Sequence, residues 1–329
     1  MDASPKVSLP PPPGIVNSIK TGFDLVANNL GAILPPLLFN LFLWLGPRLR
    51  MDALFDAVKL DMAAVWQAGG VPAAEIERAL NLYETTLPRL NLFWLFRTFP
   101  IGISSLFLPQ ETSGTPLGQP IVWQTGALDL PLWIFLLTLL GWVGGALYFR
   151  DVARLAQTER DALSFGALRA VLQTIFLSIS WGFLSIFIGL PSFMLMAVML
   201  QFNALAANLL TAFFVLIMMW AIVPLFFCPH GIFLKRQNMF ASIWGSLQLS
   251  RFAFPTSSLF VLTVFLLSFG LNFLWSIPPE DSWMTLVGIL GHSFVATALL
   301  ASSFVYYRDM TAWVQNVLER FKPTPPKLA

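Results

Sequence analysis

Six stretches of this chain, 28–45, 130–149, 174–199, 204–227, 256–276 and 283–306, contain no Lys, Arg, Asp or Glu. Each is close to or beyond the roughly 20 apolar residues that carry a helix across hydrocarbon. In lipid only a helix or a closed barrel satisfies its own backbone polar groups, so uncharged runs of this length point to spanning helices. Composition agrees: hydrophobic residues make up 57% and charged residues 11%, whereas a soluble domain carries about 25% charged residues. The expected fold class is all-α, a polytopic membrane helix bundle of six transmembrane helices.

Charge placement orients the chain. With the N-terminus inside, the cytoplasmic segments hold Lys6, Lys20, Arg150, Arg154, Arg160, Arg169, Lys235, Arg236, Arg251, Arg308, Arg320, Lys322 and Lys327. The outer turns 201–203 and 277–282 hold neither Lys nor Arg. The positive-inside rule then places both termini in the cytoplasm and the protein in the cytoplasmic (inner) membrane. A seventh apolar stretch, 92–108, carries Arg97 and Pro100 near its middle. Counting it as a span would export the arginines from Arg150 to Arg169, so it is read as interfacial or re-entrant from the outer side.

The resulting organisation is a Pro-rich tail and interfacial helix (1–24), a first span (25–46), an extracytoplasmic insertion (47–129), a five-span core (130–309) and a cytoplasmic tail (310–329). Asp2, Lys6 and Pro10 to Pro13 precede the first apolar run, and Gly46-Pro47-Arg48 follows it. That is no cleavable leader, and the first helix is read as a retained anchor. The proline tract is a solvated polyproline tail or a docking site for a proline-reading partner. Prolines 35, 36, 191 and 224 lie within spans, where lipid-embedded helices tolerate kinks. Within the insertion, Met51, Leu54, Phe55, Val58, Met62, Val65 and Trp66 form a stripe at helical spacing that Gly69-Gly70 ends. A second helix follows around Ile76, Ala79, Leu80 and Tyr83, and 109–128 is expected to be an ordered loop with a short hairpin.

The chain repeats itself. Tyr148-Phe149-Arg150-Asp151 ends the second span and Tyr306-Tyr307-Arg308-Asp309 the sixth, each followed six residues later by Gln157 or Gln315. Small pairs, Gly144-Gly145 and Ser302-Ser303, precede both. Such a motif suits a cytoplasmic exit, with aromatic rings at headgroup level and arginine on phosphates. The approaches to spans one, three and five also match: Asn17-Ser18 with Phe23, the segment 162–173, and Gly245-Ser246 with Phe252. The bundle is therefore read as three repeated hairpins with cytoplasmic interfacial helices. All run in the same sense, unlike the inverted repeats of many transporters.

From Pro224 through Gly231 and Ala241 to Ser246-x-x-Leu249-x-Arg251, followed by an aromatic and a long apolar run, the chain resembles a recurring bacterial pattern. It is similar there to the membrane domain fused to some glycerophosphodiester phosphodiesterases and to related stand-alone multi-span proteins. The resemblance covers roughly 204–309 and implies a six-helix membrane fold. It transfers no catalytic residue, and the chain departs from it by its outer insertion and by lacking a phosphodiesterase domain.

Chemistry is sparse. The only histidines are His230 and His292, without a carboxylate or second histidine at ligand spacing, and Cys228 is the only cysteine. No catalytic residue, metal site or cofactor is indicated, and a net charge of +2 gives no argument for nucleic acid. His292 stands eight residues from Met284, about 12 Å into its span. With Asn40 and Asn272 it forms a candidate intramembrane cluster, either tying helices together or lining a polar path. Arg97 either contacts an outer lipid headgroup or pairs with Asp129 or Glu280. The expected partners are membrane lipids and, alternatively, another membrane protein. The leading function is a non-enzymatic lipid- or partner-binding scaffold or accessory subunit. A permease or channel for a small neutral or lipid-like solute comes second, and an enzyme of lipid metabolism third.

Overall fold

The computed structural model describes residues 11–87, 90–108, 114–157 and 166–320. Lys6, Arg160, Lys322, Lys327, the first proline of the tract (Pro10) and the start of the segment at 162–173 lie outside them. The elements run α1 (Ile15–Ala27), a 3-10 turn (Leu30–Ile33), α2 (Leu34–Leu45), β1 (Arg48–Arg50), α3 (Asp52–Ala68) and α4 (Ala73–Thr86). A second 3-10 turn (Leu92–Phe96) and β2 (Val122–Gln124) follow. Then come α5 (Leu130–Leu155), α6 (Ala167–Phe202), α7 (Ala204–Lys235), α8 (Met239–Trp275) and α9 (Thr285–Arg320). Five of these, α5 to α9, are long and apolar enough to cross a membrane, and the count is up to six if α1 and the Leu30–Leu45 segment form one bent span. At 37 residues, α8 has more than the roughly 20 residues that cross a hydrocarbon core, and it consists of two helices joined at a kink.

The first span differs from its expectation. Its helix breaks after Ala27, and the two parts meet at 96°. Pro35 and Pro36 do not kink a continuous span. They lie in the first turn of α2, where a missing N–H leaves no hydrogen bond unmade and the fixed φ suits a helix start. α8 is interrupted as well: Ala253 leaves helical geometry (φ −131°, ψ 30°) two residues before Pro255, whose ring crowds the preceding helical turn. Among the described residues α6 has no such break; it continues as helix from Ala167 to Phe202, with Pro191 inside it.

The chain divides into two compact units. One comprises Leu30–Tyr148 and Ser268–Thr297. In it α3 and α4 lie side by side: Tyr83 meets Phe55 at 5.5 Å and stacks on Trp66 at 6.5 Å. Lys59 joins them by reaching Asp56 at 3.0 Å and Glu84 at 3.1 Å, hydrogen bonds that hold its ammonium above the ordinary lysine pKa. The 109–128 loop holds a tight antiparallel turn in which Thr115 and Gly118 exchange backbone hydrogen bonds, and beyond it Val122–Gln124 forms a parallel pair, with Arg48 opposite Val122 and Arg50 opposite Gln124. Parallel strands need a long connection, which α3, α4 and the 92–108 stretch supply. The buried Arg48 guanidinium donates to the carbonyls of Leu43 and Trp44, closing the end of α2 with a cation where the helix dipole is negative. Phe39, Leu43, Leu49, Phe93 and Leu137 form the apolar core.

The stretch 92–108 is no spanning helix. After its 3-10 turn it is irregular, and it lies against glycines of α5. A methyl group on Gly141 would come within 2.6 Å of the Phe96 carbonyl, and one on Gly145 within 2.8 Å of Gly102 Cα. These two glycines, four residues apart and so on one face of α5, let loop backbone approach the helix directly.

The other unit comprises Met1–Asn29, Phe149–Leu267 and Ala298–Ala329. Its core is aromatic: Tyr306 stacks on Phe260 with centroids 4.0 Å apart, and Phe227 packs against both Tyr306 and Tyr307. Each lead-in helix turns small residues at spacing four inward. On α1 these are Ser18 and Gly22 with Val26, on α6 Ala170, Thr174 and Ser178, and on α8 Ser242, Ser246 and Ser250. Such side chains allow helix backbones to approach closely. Ser302 of α9 fills the space beside Gly22, and Ser242 and Ser246 donate to the Cys228 and Pro224 carbonyls of α7.

Candidate functional site

The residues with most chemistry inside an apolar span meet in the unit of Leu30–Tyr148 and Ser268–Thr297. Asn40 projects from α2, His292 from α9 and Asn272 from the last turn of α8. The Asn272 side-chain oxygen accepts from His292 Nδ1 at 2.6 Å. The other ring nitrogen, Nε2, then has no proton to give and accepts from the Ser104 hydroxyl at 3.2 Å. Asn40 does not touch the imidazole. Its amide donates to the Pro36 carbonyl at 2.7 Å and the Ser104 carbonyl at 3.2 Å. Its oxygen accepts from the Leu106 N–H at 2.8 Å and the Ser105 hydroxyl at 3.2 Å. Ser104 thus links Asn40 to the His292–Asn272 pair.

Asn40 and His292 are buried, at 0% and 1% exposure, and these bonds fill all four positions of the one amide and both nitrogens of the ring. What they hold is the irregular 104–106 backbone. Buried polar backbone without partners is costly in an apolar surrounding, and side chains supply here what a helix would have supplied internally. Ser104 and Ser105 carried no signal in the sequence, because hydroxyls next to an apolar run have no spacing that marks them as partners.

Arg97 lies at the end of the 3-10 turn, exposed, with its guanidinium 5.4 Å from the centre of the Trp94 ring. Among the described residues it pairs with neither Asp129 nor Glu280. Glu280 instead offers its backbone carbonyl to Trp44 Nε1 at 2.7 Å.

The repeated motif has a different setting from the one its composition suggests. Tyr148 and Tyr306 are 3% and 0% exposed, so neither ring faces headgroups. Each hydroxyl reaches another helix instead, Tyr148 to Thr297 at 3.0 Å and Tyr306 to Ser257 at 3.3 Å. A buried tyrosine needs such a partner. Arg308 donates to the Ala156 carbonyl at 2.5 Å, just past the end of α5, and to Asp309 at 2.7 Å. Asp151 pairs with Arg154 at 3.0 Å, and Arg150 is half-buried. His230, in the same unit as Arg308, is enclosed by Phe226, Phe227, Phe304 and Tyr307 and bonds Ser303 at 2.8 Å. Among the described residues no group of three metal-binding side chains occurs.

No family model, curated protein or solved structure matches this chain. The fold is that of a helical protein with several spans long and apolar enough for a multi-pass membrane protein. Further assignment rests on the site's own geometry.

Proposed function

We propose that the chain is a six-span protein of the cytoplasmic membrane with both termini cytoplasmic. It acts as a scaffold or accessory subunit that binds lipid or another membrane protein, without chemistry of its own. The observation that carries this reading is the saturation of Asn40 and of the His292 ring. Asn40 and His292 use their whole hydrogen-bonding capacity on helix and loop contacts, which leaves neither His292 ring nitrogen for a solute or a proton relay. The apolar surface supports it too: Phe183, Phe187, Phe193, Phe213 and Trp220 on α6 and α7 are exposed and call for acyl chains or a neighbouring helix.

Extraction into lipid nanodiscs under mild conditions tests the proposal. A stoichiometric lipid or protein companion is expected with the purified chain. A chain that emerges without companions, together with solute flux in proteoliposomes that His292→Asn abolishes at unchanged thermal stability, would establish the permease instead.

A further inference from the structure

The first half of α8 is amphipathic in the reverse sense. A helix beside water turns its large apolar side chains inward and its polar ones out. Here Ser242, Ser246 and Ser250 are buried, with Met239 and Leu249, while Phe240 and Trp244 are 75% and 64% exposed. Ser242 and Ser246 donate to carbonyls of α7, which fixes the roll of the helix. Phe240, Trp244, Leu247 and Arg251 succeed one another at steps of four, three and four residues. They therefore share one face, and each is exposed. The segment ends at the Ala253 kink. Beyond it lies the charge-free run 256–276, which is long enough by itself to cross hydrocarbon. The outward face of α1, by contrast, carries Asn17, Lys20, Thr21 and Asp24.

An apolar face ahead of a span suits the boundary between acyl chains and headgroups, where tryptophan is favoured. Cations bracket this one. Lys235 lies exposed before the segment and Arg251 at its end, and no Asp or Glu occurs from 162 to 279. Lysine and arginine keep their charged heads at headgroup level, so one at each end lays the segment along the interface. We infer that this face binds anionic phospholipid of the cytoplasmic leaflet, its acyl chains along Phe240, Trp244 and Leu247 and its phosphate at Arg251. The inference rests on the membrane reading above and names the lipid class and the face that holds it. A guanidinium makes charge-assisted bonds to phosphate oxygens. A second copy of the chain in a two-fold contact would set this face against its own cations, with no carboxylate there to offset them.

In a Cys228→Ser background, Trp244→Cys is labelled with bimane. The full-length protein is reconstituted in bilayers of equal phosphatidylglycerol and phosphatidylcholine, one of the two carrying brominated acyl chains. Bromine is expected to quench the label, with a preference of about fivefold for phosphatidylglycerol, as for one cation near an anionic surface. Arg251→Gln should bring the two lipids close to equal, and Lys20→Gln on α1 should leave the preference as it is. Phe240→Cys, one turn away on the same face, is a second reporter should Trp244→Cys fail to fold. Phe187→Cys on α6, at a position 81% exposed, reports membrane residence separately. Quenching at 244 by aqueous iodide and not by bromine places the face in water and overturns the inference. Quenching by neither places it under protein and overturns it too, as does a wild type without preference or a preference that survives Arg251→Gln. Bromine quenching at 187 leaves membrane residence standing in each of these cases, and its absence there overturns both readings.

Discussion

Asn40 seats a stretch of irregular backbone in an apolar surrounding with one uncharged side chain. Its loss should therefore matter more than the loss of the histidine nearby. Asn40→Leu leaves the Ser104 carbonyl and the Leu106 N–H without partners, and the expected destabilisation is about 2 kcal/mol. His292→Leu removes two side-chain bonds and should cost about 1 kcal/mol, while His292→Asn should keep most of the stability. Unfolding of the three variants in mixed detergent micelles checks the order. A His292→Leu protein less stable than Asn40→Leu would show that the imidazole, not the amide, holds the loop. His292 and Asn272 were legible in the sequence because a polar residue inside a charge-free run stands out. Asn40 stood out on the same ground, but the route of the link did not, since it passes through Ser104, outside every span. The buried Arg48 was equally silent: a cation after Gly-Pro reads as a solvated turn until its guanidinium is seen on the carbonyls of α2.

At the scale of elements, glycine decides where backbone meets backbone. Gly145→Leu should displace the 96–108 loop from α5, since even a methyl there would press on Gly102. Faster hydrogen exchange across 98–106 is the expected signature. Gly182→Leu on α6, where no atom lies within 4 Å, should leave exchange there unchanged. In the other unit Gly22→Leu should cost about 1–3 kcal/mol by overpacking against Ser302, visible as a lowered melting temperature. The five long helices could be read in advance from uncharged length alone. The break between α1 and α2 could not, because a Pro-Pro pair inside an apolar run fits a kinked helix as well as a helix start. The parallel strands were hidden too, since three-residue strands far apart in sequence leave no periodicity to read.

For the whole molecule, topology is the property that the other readings depend on. In a Cys228→Ser background, single cysteines at Glu77 and Glu280 should react with an impermeant thiol reagent added outside intact cells. Cysteines at Lys20 and Glu319 should react only after permeabilisation, and external labelling at Lys20 would reverse the orientation. The helices also differ in how far they are packed by protein. The most apolar window of α9 is 56% buried, whereas that of α6 is 0% buried and that of α7 11%. Over that length the α6–α7 hairpin has no protein wall to fix its tilt. With no wall there, a bilayer thicker or thinner than the hairpin is long would be met by straightening or leaning, which would make bilayer thickness itself an input to this hairpin.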